Sequence, residues 1–266
     1  MVQKIGFIGT GSMGSALARA ADQSGRTLLL ANRTPEKAKA LAQTLAHARP
    51  ASNEEVAQTA ELIFLGVKPQ MMPGLLAEVG PILAARTDRF ILATMAAGLS
   101  MEKIRTLAGL ECPVIRLMPN TPAGIGAGVI QYCGLGVTQE ELDDFAALLA
   151  PAGLVDPVPE GLIDAASAVS GCGPAFVYLF LEALADGGVA CGLPRDKALA
   201  YAAQTVAGAA RMVLDTGRHP GALKDAVCSP GGTTIQGVRT LEEHGFRAAA
   251  MDAVVAAYEK TLALGK

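Results

Sequence analysis

Through the first 160 residues, short apolar runs alternate with stretches of helical pattern. The runs at 4–9, 27–31, 62–67, 90–94 and 114–118 read as strands. The spacers between them carry helix starts: Thr34-Pro35 before 36–45, Ser52-Asn53 before Glu54, and Ser100 before 101–107. This βαβ rhythm predicts an α/β fold with a Rossmann-type, doubly wound parallel sheet, whose ligand crevice lies at the carboxyl ends of the strands. A further strand pair, 128–132 and 154–158, is expected around a helix at 139–149. Near Glu160 the rhythm changes to helix alone, at 162–170, 175–191, 195–216, 234–244 and 246–264. The 195–216 stretch is apolar nearly all round between Asp196 and Arg211, more than one packing face can satisfy. The expected organisation is a dinucleotide-binding domain at 1–160 and an all-helical domain at 161–266 that packs against another subunit.

Composition narrows the partners. Twenty-two Lys and Arg against 25 Asp and Glu leave a net charge of −3 with no basic run, which argues against nucleic acid. Apolar residues make up 51% and charged residues 18%, a balance that fits further surface hidden in an oligomer. The five cysteines (Cys112, Cys133, Cys172, Cys191, Cys228) show no C-x-x-C spacing, so neither a disulfide framework nor a metal site is expected, and the cytoplasm is the natural compartment. Residues 165–181 carry no charge, but Gly171, Gly173 and Pro174 interrupt them, so a buried interface helix is expected rather than a membrane span.

Candidate chemistry begins at Gly9-Thr10-Gly11-Ser12-Met13-Gly14, which joins the first strand to a helical stretch. A strand ending in G-x-G-x-x-G and turning into a helix aims free backbone N–H groups and a positive dipole end at one point, where a pyrophosphate can sit. The second strand ends in Asn32-Arg33-Thr34, without the carboxylate that would bind a ribose 2′-hydroxyl. A guanidinium there suits a 2′-phosphate, which favours NADPH over NADH as cofactor, with NADH the alternative.

Four further segments combine unusual residues. Gly66-Val67-Lys68-Pro69 leaves a strand sharply and carries a lysine towards a ribose or solvent. Ala96-Ala97-Gly98 offers small residues where a flat ring can approach the backbone, and Met118-Pro119-Asn120-Thr121-Pro122 is a stiff loop presenting an amide and a hydroxyl. Cys228-Ser229-Pro230-Gly231-Gly232-Thr233-Thr234 precedes a helix and forms a second anion nest, suited to a substrate carboxylate. The histidines His47, His219 and His244 stand apart with no carboxylate relay, so nucleophilic and metal mechanisms have no basis. Hydride transfer to a protonated imine needs no proton donor, and a site rich in anion-binding groups but poor in acids and bases favours that acceptor.

Together these segments, with Ser170-Gly171-Cys172-Gly173-Pro174-Ala175, resemble the pyrroline-5-carboxylate reductase family over essentially the whole chain. The resemblance implies NADPH-dependent reduction of (S)-1-pyrroline-5-carboxylate to L-proline, and dimers that interlock through the helical domain and assemble further into decamers. It implies that Ser229, with Gly231, Gly232 and the N–H groups of Thr233 and Thr234, holds the substrate carboxylate. The Thr234 hydroxyl would face the ring nitrogen, as the catalytic residue. Gly9, Gly11, Ser12, Met13, Gly14, Asn32, Arg33 and Val67 would bind the cofactor, with Lys68, Pro69, Ala96, Ala97 and Asn120 on its nicotinamide side. The family usually has Ser where Cys172 stands and Thr or Ser where Cys228 stands, and a thiol is the weaker donor. Two alternatives remain at this point. A β-hydroxyacid dehydrogenase shares the architecture, but the run after Gly173 lacks that family's lysine. A non-catalytic NADPH-binding sensor has no use for the second nest.

Overall fold

The computed structural model describes residues 2–264. Eight strands form one sheet in the order β3-β2-β1-β4-β5-β6-β7-β8. They are β1 (Lys4–Ile8), β2 (Thr27–Ala31), β3 (Ala48–Pro50), β4 (Leu62–Leu65), β5 (Ile91–Thr94), β6 (Val114–Pro119), β7 (Gly128–Leu135) and β8 (Gly153–Pro157). All neighbours are parallel except β6 and β7, which run antiparallel. From β1 the chain steps outward to β2 and β3, then crosses back to β4 on the other side of β1. That reversal opens a crevice between the carboxyl ends of β1 and β4.

Helices cover both faces. On one side α1 (Ser12–Asp22), α2 (Pro35–Ala42) and α6 (Gln139–Leu149) bury Leu17, Leu41 and Phe145 against the sheet. There Phe7 stacks on Phe64 at 4.5 Å between ring centroids, and Phe145 follows at 5.9 Å. On the other side α3 (Asn53–Thr59), α4 (Met72–Ala84) and α5 (Met101–Ala108) contribute Val56, Leu76 and Ile104. Apolar side chains of β1 alternate between the two cores, Phe7 to the first and Ile8 to the second, which is why its sequence is continuously apolar.

Two elements depart from the sequence expectation in this part. Helix α4 is absent from the pattern because Gly74, Gly80 and Pro81 break it. The packed face Leu75, Leu76, Val79 and Leu83 overrides the hydrogen bond lost at Pro81. Strand β3 is three residues long and contains Pro50, which an edge strand tolerates.

The remaining helices are α7 (Glu160–Ser170), α8 (Gly173–Ala190), α9 (Arg195–Thr216), α10 (Pro220–Val227), α11 (Thr233–Glu243) and α12 (Phe246–Leu264). The chain divides into two compact units, one of residues 1–172 with 257–266 and one of residues 173–256. This differs from the division at 160 expected from the helical rhythm, because α7 belongs to the sheet: it packs on β6 and β7, and Asp164 pairs with Arg116 of β6.

The second unit has almost no core of its own. Among its described residues only Ala185, Ala198 and Ala202 are buried apolar side chains. Large apolar groups stand in solvent instead, with Leu214 81% exposed, Leu179 69% and Met251 63%. Residues 160–190, α7 and α8 together, are long and apolar enough by length and composition to cross a membrane, but α7 is committed to the sheet. An apolar surface of this extent marks a protein interface.

Candidate active site

The pairings Ile8 with Ala31, Ile8 with Leu65 and Leu65 with Thr94 bring the carboxyl ends of β1, β2, β4 and β5 level. The loops that follow therefore leave the sheet in one row: 9–14, 32–34, 66–69 and 95–99. Strand β6 runs on to Pro119 and brings Asn120 to the same edge.

The glycines of the first loop divide by cause. Gly9 has φ +103°, and a Cβ there would lie 2.5 Å from the Gly66 carbonyl oxygen. A Cβ on Gly14 would lie 2.1 Å from the Gly9 oxygen. Both positions are closed by the packing of α1, β1 and β4. Gly11 differs: its backbone is extended at φ −70°, and a Cβ would meet nothing within 4 Å. Nothing inside the chain asks for glycine at position 11, whereas a phosphate approaching the backbone does.

Helix α1 starts at this point with no side-chain cap and no acidic residue in its first turn. The N–H groups of Ser12 and Met13 have no acceptor among the described residues. Free donors, a positive helix end and an uncrowded Gly11 are what a pyrophosphate requires, so the chain fits a dinucleotide here.

Arg33 is exposed and forms no ion pair with the described residues, Glu36 included. Asn32 has another use. Its Oδ1 accepts from Thr10 N–H at 3.2 Å and its Nδ2 donates to Thr34 O at 3.1 Å, so it braces the phosphate loop against the end of β2. Lys68 is exposed and precedes the turn at Pro69, and Val67 is half-buried beside it. Ala96 is buried and Ala97 partly so, followed by Gly98 at φ +74°.

Asn120 is likewise engaged within the chain. Its side chain is 7% exposed, and both amide ends are taken: Oδ1 accepts from Val129 N–H and Nδ2 donates to Ser170 O, each at 2.9 Å. It is a joint between elements.

Pattern reading also missed the polar ties that hold α7. Arg116 is buried, pairs with Asp164 and lies 3.8 Å from Glu160. Glu160 in turn accepts from Met101 N–H, the first residue of α5, at 2.8 Å. The visible sign was a single charge inside the apolar run 114–118. Burial pushes the nearby Cys133 thiol up to about 11, with Glu160 adding to it, so that thiol is inert at neutral pH.

The 228–234 segment lies in the second unit. Gly231 takes φ +68° with open space where a Cβ would be. Gly232 donates its N–H to Ser229 O at 3.0 Å and caps α11, again without a side-chain cap or an acidic first turn. A Cβ on Gly232 would fall 2.3 Å from Ser229 Oγ, so this hydroxyl sits directly over the turn. Thr233 and Thr234 are exposed, and their N–H groups have no acceptor among the described residues. The arrangement repeats that of the first loop: glycine turn, uncapped helix and free N–H groups, with hydroxyls added, which is geometry suited to an anion.

Comparison with known proteins now decides the family. Residues 160–264 match the family model described as pyrroline-5-carboxylate reductase dimerisation, and residues 4–97 match the one described as NADP oxidoreductase, coenzyme F420-dependent. The chain is 41% identical to the pyrroline-5-carboxylate reductase of Escherichia coli (strain K12) over all of both chains. It belongs to the pyrroline-5-carboxylate reductase family. The Pisum sativum reductase is 40% identical, with 97% of this chain and 94% of that one covered. A crystal structure of the Plasmodium falciparum enzyme with NADP bound superposes with a TM-score of 0.87 at 33% identity, covering 99% of this chain and 98% of that one. The family's dimerisation region coincides with the helices that expose so much apolar surface.

Proposed function

We propose that this chain reduces (S)-1-pyrroline-5-carboxylate to L-proline with NADPH, the last step of proline biosynthesis. The observation that carries the proposal is the second cradle: a chain with a complete dinucleotide loop has a further uncapped helix N-terminus at Gly232–Thr234, suited to a carboxylate. End-to-end similarity to reductases of that name supports it.

In this mechanism the residues bind and orient. The N–H groups of 11–14 hold the pyrophosphate, and Arg33 takes the 2′-phosphate, which favours NADPH over NADH. Val67, Lys68, Pro69, Ala96 and Ala97 form the wall beside the nicotinamide ring. Ser229 Oγ and the N–H groups of Thr233 and Thr234 fix the substrate carboxylate, and the Thr234 hydroxyl steadies the ring nitrogen. When bound, NADPH supplies the hydride that the imine carbon accepts. The imine nitrogen is already protonated, so no side chain has to deliver a proton to it, and orientation provides the acceleration.

The assembly is a homodimer formed through 161–266, which removes the exposed apolar surface of that region from water, with a decamer as the higher state. The compartment is the cytoplasm, in keeping with five free cysteines. Oxidation of NADPH followed by absorbance, with and without pyrroline-5-carboxylate and against NADH, tests the activity. No substrate-dependent oxidation would refute it. Sedimentation velocity tests the assembly, and a monomer at micromolar concentration would refute the dimer.

A further inference from the structure

The chain leaves its first compact unit at Cys172 and enters the second at Gly173. Immediately before that exit lies a knot of buried polar groups that the reaction does not use. Helix α7 meets β6 at two levels: Glu160 and Asp164 near its start reach Arg116 in mid-strand, and Ser170 at its end reaches Asn120 just past the strand. It thus runs alongside β6 towards the crevice edge and stops there.

The last carbonyls of a helix have no partners within it. Gly171 and Cys172 both donate their N–H groups to Ser167 O, which leaves Ser170 O to be capped from outside. Asn120 Nδ2 provides that cap, while Asn120 Oδ1 holds Val129 N–H and so closes the 120–129 loop. A second buried amide, Gln131 at 6% exposure, grips the same residue from β7. Its Nε2 donates to Ser170 Oγ at 2.8 Å, and that hydroxyl lies 3.0 Å from Ala166 O. Buried amides cost free energy unless they are matched, and each here has a partner at its nitrogen and at its oxygen, Gln131 Oε1 sharing the Ser170 hydroxyl proton at 3.0 Å with Ala166 O.

We propose that Asn120 is a positioning residue. It pins the end of α7 to the crevice end of β6, so that residues 120–129 and 170–172 are held at the crevice edge where the hydride is transferred. This rests on the reductase reading above. A cofactor contact would raise the Kd for NADPH. A positioning role lowers kcat with both ligands saturating, because misplacement by about an ångström costs on the order of 100-fold in rate.

The test uses the full-length, assembled enzyme. Asn120→Asp keeps an acceptor for Val129 N–H and removes the donor to Ser170 O, and Asn120→Ala removes both. Both variants should keep NADPH affinity within about twofold and lower kcat by about tenfold or more. Both should also speed amide exchange across 170–176 while 12–22 stays protected. Gln131→Ala should act in the same direction more weakly, and it carries the test if the Asn120 variants do not fold. A tenfold weaker Kd for NADPH with kcat intact would overturn the proposal in favour of a cofactor contact. Unchanged kcat and KM with faster exchange would reduce the knot to simple structural support. If the wild type fails to reduce pyrroline-5-carboxylate, the reductase reading falls, while unaltered exchange at 170–176 in the variants would independently sink the clamp.

Discussion

Replacing Gly11 by alanine separates ligand binding from folding in a way few glycine substitutions do. The methyl group enters open space, since no atom of the described residues lies within 4 Å of the new Cβ, and the backbone at φ −70° suits alanine. The only intrinsic cost is a poorer residue at the helix N-cap, up to about 1 kcal/mol. For a chain of this size that lowers Tm by about 2–4 °C. The pyrophosphate suffers far more, because the methyl occupies the surface it must reach. Losing one charge-assisted hydrogen bond to the free N–H groups costs about 1.5–3 kcal/mol. That is roughly a 10- to 100-fold rise in Kd. Fluorescence titration with NADPH and a thermal melt of the same sample measure both quantities. Gly14→Ala is the contrast: its Cβ would lie 2.1 Å from a rigid backbone oxygen, so it should lose stability first. Wild-type NADPH affinity in Gly11→Ala, or a stability loss as large as that of Gly14→Ala, would refute the assignment of this loop.

Three other outcomes are expected. Arg33→Ala should lower kcat/KM with NADPH by about 10- to 100-fold and leave NADH nearly unchanged, since only the 2′-phosphate loses a partner; parallel steady-state assays with the two cofactors check this. Thr234→Ala should lower kcat/KM for pyrroline-5-carboxylate by about 10- to 100-fold, the worth of one hydrogen bond to the charged ring nitrogen, without altering NADPH affinity in a titration. Glu141 is held at about 2, below its ordinary 4.5, chiefly by its hydrogen bond from Arg89, so its contribution is complete above pH 4.5 and disappears as pH falls towards 2. Glu141→Gln should therefore cost about 1–2 kcal/mol at neutral pH and flatten the acid limb of a denaturation series.

The strands that line the crevice were legible because parallel strands buried on both faces read as unbroken apolar runs, and the helices between them carry Ser or Thr starts such as Ser52 and Ser100, whose hydroxyls do cap α3 and α5. The turn from β1 into α1 was legible because glycine spacing reports backbone geometry directly. Helix α10 was not, since His219-Pro220-Gly221 reads as a turn, yet the His219 ring caps the helix by accepting from Gly221 N–H at 3.1 Å. Asn32 and Asn120 show a different limit. A sequence shows an amide at the crevice edge but not which neighbours it already bonds, and both bond the chain's own backbone. Gln131 stays invisible for the same reason: its partner Ser170 lies 39 positions away.

The most direct measurement follows the transferred atom. Turnover of pyrroline-5-carboxylate with NADPH deuterated on one face of nicotinamide C4, tested separately for each face, should place a single deuterium on C5 of L-proline for one face and none for the other. Product unlabelled from both cofactors, or no proline at all, would contradict direct hydride transfer from NADPH to the imine carbon.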